Sequence, residues 1–125
     1  MKIVLTQKES EEYFYNSLCN GLSYIQGYGL ELQYKISDYN AAKKKLNSPC
    51  YEDVFMEILR QGKSLTIVDH EGEGEYTRSI TMKDVHTRVK KTPFAHLTNM
   101  IEENDDAETA DVILQTVFFE EIVFG

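Results

Sequence analysis

The fold class is decided by residues 64–81, SLTIVDHEGEGEYTRSIT. We interpret residues 64–69 and 75–81 as the two strands of a β-hairpin. The tip, residues 70–74, carries two glycines, and a loop of this length can turn in several ways. A hairpin therefore lies in the middle of a chain whose other segments are mostly helical in pattern.

The longest predicted helix precedes this hairpin. Thr6 and Glu9 have the spacing of a capping box, which satisfies free backbone N–H groups at a helix start. The apolar stripe of the helix recurs every three or four residues, at Phe14, Leu18, Leu22 and Ile25. Gly21 falls on the same side and predicts the close approach of another helix. Gly27 and Gly29 predict its end.

The remaining segments alternate irregularly between strand and helix patterns. Residues 1–5 and 30–34 predict strands, and Ser37 and Ser48-Pro49 predict helix starts. The core stripe of the helix that follows Pro49 is predicted at Tyr51, Val54, Phe55, Ile58 and Leu59.

Three helices are predicted after the hairpin. They start near Thr81, with Asp84 in a capping position, at Thr92-Pro93, and near Asp105. The second carries a stripe at Phe94, Leu97 and Ile101, and the third carries one at Ala110, Ile113, Leu114, Val117 and Phe118.

These patterns predict one α+β domain over residues 1–125. We expect a small mixed or antiparallel sheet of about four strands, packed with five or six helices. A chain of 125 residues is long enough to bury a core without a disulfide or metal staple.

Charge and cysteine content restrict the function. The formal net charge is −8, and phosphate backbones repel such a surface, so no direct nucleic-acid binding is predicted. The two cysteines are too few for a disulfide framework. The start of the chain lacks the pattern of a signal peptide, and no apolar run is long enough to span a membrane. We predict a soluble cytoplasmic protein.

The hairpin tip is a candidate metal site. Asp69, Glu71, Glu73 and Glu75 place four carboxylates within seven residues, and His70 lies among them. Hard cations such as calcium prefer several oxygen ligands. However, the twelfth position from Asp69 is Ile80, where a calcium loop needs an acid. A solvated acidic turn is therefore the preferred interpretation, and no metal is predicted.

Other catalytic patterns are incomplete. No two histidines have the spacing that places both on one metal. His86 flanks an apolar stripe, and His96 is predicted to be exposed. Cys50 is predicted at a helix N-terminus, where a thiol is activated, but no local base accompanies it. No phosphate loop, dinucleotide fingerprint or hydrolase elbow occurs, and no cofactor is predicted.

The first helix carries a second stripe opposite its core stripe. Its members are Tyr13, Ser17, Asn20 and Tyr24, which align at helical spacing. Tyrosine on a rigid helix is favoured at protein–protein contacts because it buries area and keeps a polar tip. We predict an interaction surface here; the alternatives are that the fold covers the stripe or that the tyrosines are solvated.

Four stretches carry a resemblance to a known family. They are residues 27–32, GYGLEL; residues 48–54, SPCYEDV; residues 84–89, DVHTRV; and residues 109–119, TADVILQTVFF. Together they resemble a family of small uncharacterised proteins from phages and mobile elements of gut Bacteroidales. The resemblance implies an accessory protein of a phage or mobile element and assigns no site residue.

The leading functional hypothesis is a small acidic, non-enzymatic protein that acts by protein–protein contact, in the host cytoplasm if a phage encodes it. Its charge could also let it compete with nucleic acid for a basic protein. The alternatives are a small metal-dependent enzyme using the acidic tip and a histidine, and a structural virion component. A homo-oligomer is possible. We also expect the apolar residues Ile122, Val123 and Phe124 to be tied down.

Overall fold

The computed structural model describes residues 3–125, which form six α-helices and a three-stranded sheet. In chain order the elements are α1 Gln7–Gly27, β1 Leu30–Gln33, α2 Ile36–Lys43, α3 Tyr51–Arg60, β2 Leu65–Asp69, β3 Arg78–Ile80, α4 Met82–Arg88 with a 3-10 turn Val89–Lys91, α5 Phe94–Ile101 and α6 Ala107–Phe119. The predicted α+β class is confirmed. The strands number three in the described range, instead of about four. Residues 3–5 of the predicted first strand do not form a strand of the sheet. Residues 1–2 lie outside the described residues.

The sheet is antiparallel, with strand order β1-β2-β3. Leu30 lies opposite Asp69, and Leu65 lies opposite Ile80. Along β2 the buried residues alternate, with Leu65 and Ile67 fully covered, as a strand with one face on the core requires. The predicted hairpin is confirmed, although its second strand begins at Arg78.

The core centres on α6, which lies against α1. Every residue from Thr109 to Phe118 is buried, so this helix is covered on all sides. A β-carbon added to Gly21 would lie 3.0 Å from the backbone of Ala110, so a larger residue there would require α1 and α6 to shift apart. The close helix approach predicted from Gly21 is confirmed. Elsewhere along the same two helices the rings of Phe14 and Phe118 meet, with centroids 6.3 Å apart.

Two predicted helix starts are confirmed, because local side chains cap them. Thr6 accepts a hydrogen bond from the Glu9 backbone, and the Glu9 carboxylate accepts one from the Thr6 N–H. Asp84 likewise accepts a hydrogen bond from the Thr81 N–H at 2.9 Å.

The start predicted at Ser48 is wrong by two residues. Ser48 has φ 51°, a left-handed conformation that an N-cap residue does not adopt. Cys50 is the N-cap of α3 instead, and its backbone N–H donates to the Asp53 carboxylate at 3.1 Å.

Other starts shift by one or two residues, and two predicted stripes are partly wrong. Lys35 precedes α2, Pro93 precedes α5 and Asp106 caps α6. In α5 the buried residues are Leu97 and Met100, whereas Phe94 and Ile101 are exposed. Tyr51, the first residue of α3, is also exposed, whereas Val54 in the same turn is fully buried.

The chain after α6 runs back over the core without regular secondary structure. Gln115 is fully buried and holds this tail through its side-chain amide. Its oxygen accepts from the Val123 and Phe124 N–H groups, at 2.8 and 2.9 Å, and its nitrogen donates to the Phe124 carbonyl at 3.0 Å. The expectation that the apolar tail is tied down is confirmed for Val123 and Phe124, whereas Ile122 is exposed. No helix within residues 3–125 has both the length and the apolar character needed to cross a bilayer.

Candidate interaction surface

The predicted tyrosine stripe is divided between surface and interior. Tyr24 is 43% exposed and Asn20 is exposed. Tyr13 is partly buried against the core, and Ser17 is fully buried with its hydroxyl donating to the Tyr13 carbonyl at 2.8 Å. Helical spacing places these residues on one face but does not reveal what packs over the face. The exposed part of the stripe is therefore its C-terminal end.

A groove opens beside Tyr24, with a volume of about 450 Å³. We call it the Tyr24 groove, and its lining residues are Tyr24, Tyr28, Pro93, His96, Glu108, Asp111, Val112, Ile122, Phe124 and Gly125. The C-terminal end of α1, the start of α6 and the tail each contribute to it. Its walls are aromatic and apolar, and its ionisable lining side chains include two carboxylates.

A hydrogen-bonded network organises the groove. The Tyr28 hydroxyl donates to the Asp111 carboxylate at 2.6 Å, and the Gln115 amide donates to the same carboxylate at 3.1 Å. Burial, together with the hydrogen bond to Asp111 and its charge, raises the pKa of Tyr28 to about 12, so this phenol stays protonated as a donor. The Tyr28 ring stacks on Phe124 with centroids 4.9 Å apart. The tail held by Gln115 thus completes an aromatic wall.

His96 lies in this groove and is partly buried, so the expectation that it is exposed is wrong. Its Nδ1 is 3.1 Å from the Thr109 hydroxyl on α6. The cause is the rotated packing of α5, which places Leu97 in the core and draws His96 toward α6.

The acidic hairpin tip is organised by backbone contacts. The Asp69 carboxylate accepts three backbone N–H groups, from Glu71 at 3.1 Å, Gly72 at 2.8 Å and Tyr76 at 3.1 Å. These hydrogen bonds, that from Gly72 foremost, lower the pKa of Asp69. Both Asp69 oxygens therefore stabilise the loop conformation.

The other side chains considered as metal ligands at the hairpin tip do not point toward Asp69. Glu71, Glu73 and Glu75 are exposed, and His70 Nε2 is 3.7 Å from the Glu31 carboxylate. Among residues 3–125, no three side chains of His, Cys, Asp or Glu are placed to hold one metal ion. The arrangement corresponds to a hydrogen-bonded turn with a solvated acidic rim.

A second groove, of about 460 Å³, lies between α1 and α3. Within it Glu11 faces Arg60, with a distance of 3.6 Å between the Glu11 carboxylate and Arg60 Nε. His86 Nε2 is 2.9 Å from the other oxygen of Glu11. Glu11 thus links α1 to both α3 and α4. Since its oxygens already face Arg60 and His86, we interpret it as a link between helices.

Sequence reasoning missed the partners of Tyr24 in its groove. Tyr28 and Asp111 are 83 positions apart, and Phe124 is further still along the chain. No local spacing signals their contact. The available hint was the expectation that the apolar tail would be held against the body of the protein.

Comparison with family models, with curated proteins and with solved structures finds no match to this chain. The resemblance to small proteins of Bacteroidales phages and mobile elements therefore stays a prediction.

Proposed function

We propose that this protein is a non-enzymatic binding module that acts by protein–protein contact through the Tyr24 groove. Tyr24 carries the proposal, because it is a large exposed aromatic side chain at the mouth of a preformed groove. Tyrosine contributes contact area at a small entropic cost, and aromatic anchors dominate many interfaces. The cellular setting proposed is the cytoplasm, with an accessory role for a phage or mobile element.

The chemistry of the groove favours a basic partner segment. The exposed Glu108 carboxylate lies beside the rings of Tyr24, Tyr28 and Phe124, whereas Asp111 is buried and accepts from Tyr28 and Gln115. An arginine or lysine side chain has an apolar stem for such rings and a cationic head for the Glu108 carboxylate. The net charge of −8 adds long-range attraction for a basic protein. An acidic module of this kind could occupy the surface with which a basic protein binds nucleic acid.

The acidic hairpin tip does not take part in this proposal. Its central carboxylate is committed to three backbone N–H groups, and its glutamates are spread around the rim. The metal-dependent enzyme and the virion component remain the competing hypotheses, and the experiment below tests the virion component.

The test is a titration with an arginine- and leucine-containing peptide, followed by isothermal calorimetry and by NMR shifts of the protein amides. We expect the shifts to cluster at the groove, and Tyr24→Ala to weaken binding about tenfold. Tyr51→Ala is the matched control, because Tyr51 is 68% exposed and lies outside the groove. It should bind the peptide as the wild type does.

Two results would contradict the proposal. Equal weakening by both tyrosine variants, or binding of an acidic peptide of the same length with similar affinity, would show that the groove has no selectivity. Self-association to a closed ring in sedimentation experiments, lost in Tyr24→Ala, would assign the groove to a virion-type assembly.

A further inference from the structure

We infer that Cys19 and Cys50 form a dithiol site that low-molecular-weight disulfides of the glutathione type oxidise to an intramolecular disulfide. These are the two cysteines of the chain, and both are free and exposed. The inference is independent of the proposed binding function, because neither residue lines the Tyr24 groove.

One phenol brings the two thiols together. The Tyr15 hydroxyl is 3.6 Å from Cys50 Sγ, although the two residues are 35 positions apart. Cys19 lies one helical turn after Tyr15 on α1, and side chains at this spacing share one face. Burial raises the pKa of the Cys19 thiol, and a side-chain hydrogen bond with Tyr15 opposes the rise. Cys50 therefore contacts the Tyr15 hydroxyl from α3, and Cys19 follows Tyr15 on the same face of α1.

Asp53 holds this arrangement in place. One of its carboxylate oxygens accepts the Tyr15 O–H at 2.9 Å, and the other accepts the Cys50 backbone N–H at 3.1 Å. The Tyr15 proton is committed to Asp53, so the phenol oxygen is free to accept from a thiol. The hydrogen bonds from Cys50 and Tyr15 also lower the pKa of Asp53, which keeps it ionised in this role. The fold thus fixes Cys50 beside α1 before any oxidation occurs.

The oxidation proceeds by two exchange steps. The Cys50 thiolate attacks one sulfur of the small disulfide, forms a mixed disulfide and releases one small thiolate. The Cys19 thiolate then attacks Cys50 Sγ, which forms the Cys19–Cys50 bond and releases the second small thiolate. The two protons of the protein thiols pass through water to the two small thiolates. The protein loses two electrons, and the small disulfide gains them.

The test uses the reduced full-length protein in a buffer of oxidised and reduced glutathione, with intact mass measured after acid quenching. We expect the wild type to lose two hydrogens while it stays monomeric. Cys19→Ser and Cys50→Ser, confirmed to be folded by circular dichroism, should each gain one glutathione at most and form no internal disulfide. The oxidised wild type should show a higher Tm than the reduced protein, since the bond closes a loop between α1 and α3.

Three outcomes would overturn the inference. These are a wild type that gains two glutathione molecules, one that forms disulfide-linked dimers, and one whose mass does not change over the same redox range. Rapid reduction of the internal disulfide by a small excess of dithiothreitol would support the assignment of an exposed, exchangeable pair.

Discussion

The α1–α6 interface and the hairpin loop of residues 70–77 are stabilised in opposite ways. In the interface, Gly21 allows the two helix backbones to approach, and the rings of Phe14 and Phe118 meet two helical turns away along α1. In the loop, one carboxylate, Asp69, accepts three backbone N–H groups while the glutamates remain in solvent. Apolar packing fixes the first region, and hydrogen bonding to a single ionised side chain fixes the second.

The comparison teaches how far a cluster of similar residues indicates a function. The acidic run at the tip suggested a metal site because four carboxylates are close in sequence. The fold commits both Asp69 oxygens to the backbone and leaves Glu71 and Glu73 exposed. A carboxylate that terminates a strand and is followed by glycines is as well suited to closing a loop as to binding a cation.

The largest predicted effect follows from adding a side chain within the α1–α6 interface. Gly21→Val adds three carbons at a position where even a single β-carbon would lie 3.0 Å from the Ala110 backbone and from the Leu114 side chain. We expect the free energy of unfolding to fall by about 2–3 kcal/mol, because the helices must separate. Urea denaturation at neutral pH measures this change.

Gly27→Ala is the control for this substitution. A β-carbon at Gly27 meets nothing within 4 Å, so the variant should be as stable as the wild type or more stable by about 0.5 kcal/mol. Similar losses at both positions would show that the effect does not come from the close approach of α6.

Much of this packed region could be predicted from the sequence, since its signals are local. The capping pair Thr6 and Glu9 and the stripe of α1 lie within single helical turns, and Gly21 falls on that stripe. The packing of α5 could not be predicted in the same way. Phe94 and Leu97 are both apolar, and only the position of α6 decides that Leu97 is buried while Phe94 is exposed.

The candidate site was predictable only in part. Tyr24 was identified because tyrosines recur at helical spacing on α1. Asp111 and Phe124 reach the same groove through tertiary contacts that no periodicity records. Ser17 shares the face of Tyr24 but is buried, because α1 is covered unevenly along its length.

A second prediction tests how much the hydrogen bonds of the buried Gln115 side chain contribute to stability. Gln115→Leu removes the amide that holds the tail and one of the two side-chain donors to Asp111. We expect stability to fall by about 1–3 kcal/mol, since a buried carboxylate loses a partner. Chymotryptic cleavage after Phe119 should become faster, because the tail is released.

The matched control is Gln26→Leu, an exposed position on α1 that should change stability by less than about 0.5 kcal/mol. Release of the tail without loss of stability would show that the tail packs independently of the α1–α6 core. Loss of stability without faster cleavage would show instead that Phe124 and its aromatic neighbours hold the tail.

The smallest predicted effect concerns the loop and depends on pH. Since backbone N–H groups lower the pKa of Asp69 in the folded protein, its carboxylate stabilises the fold above the unfolded-state pKa of about 4. That contribution is lost as the pH falls through the lower, folded-state value. Asp69→Asn keeps one acceptor oxygen but does not titrate, so its Tm should lie below that of the wild type at pH 7 and approach it in acid. Glu73→Gln, at an exposed position of the same loop, should follow the wild type at every pH. A constant gap between Asp69→Asn and the wild type from pH 7 into acid would mean that shape, and not the charge of the carboxylate, closes the loop.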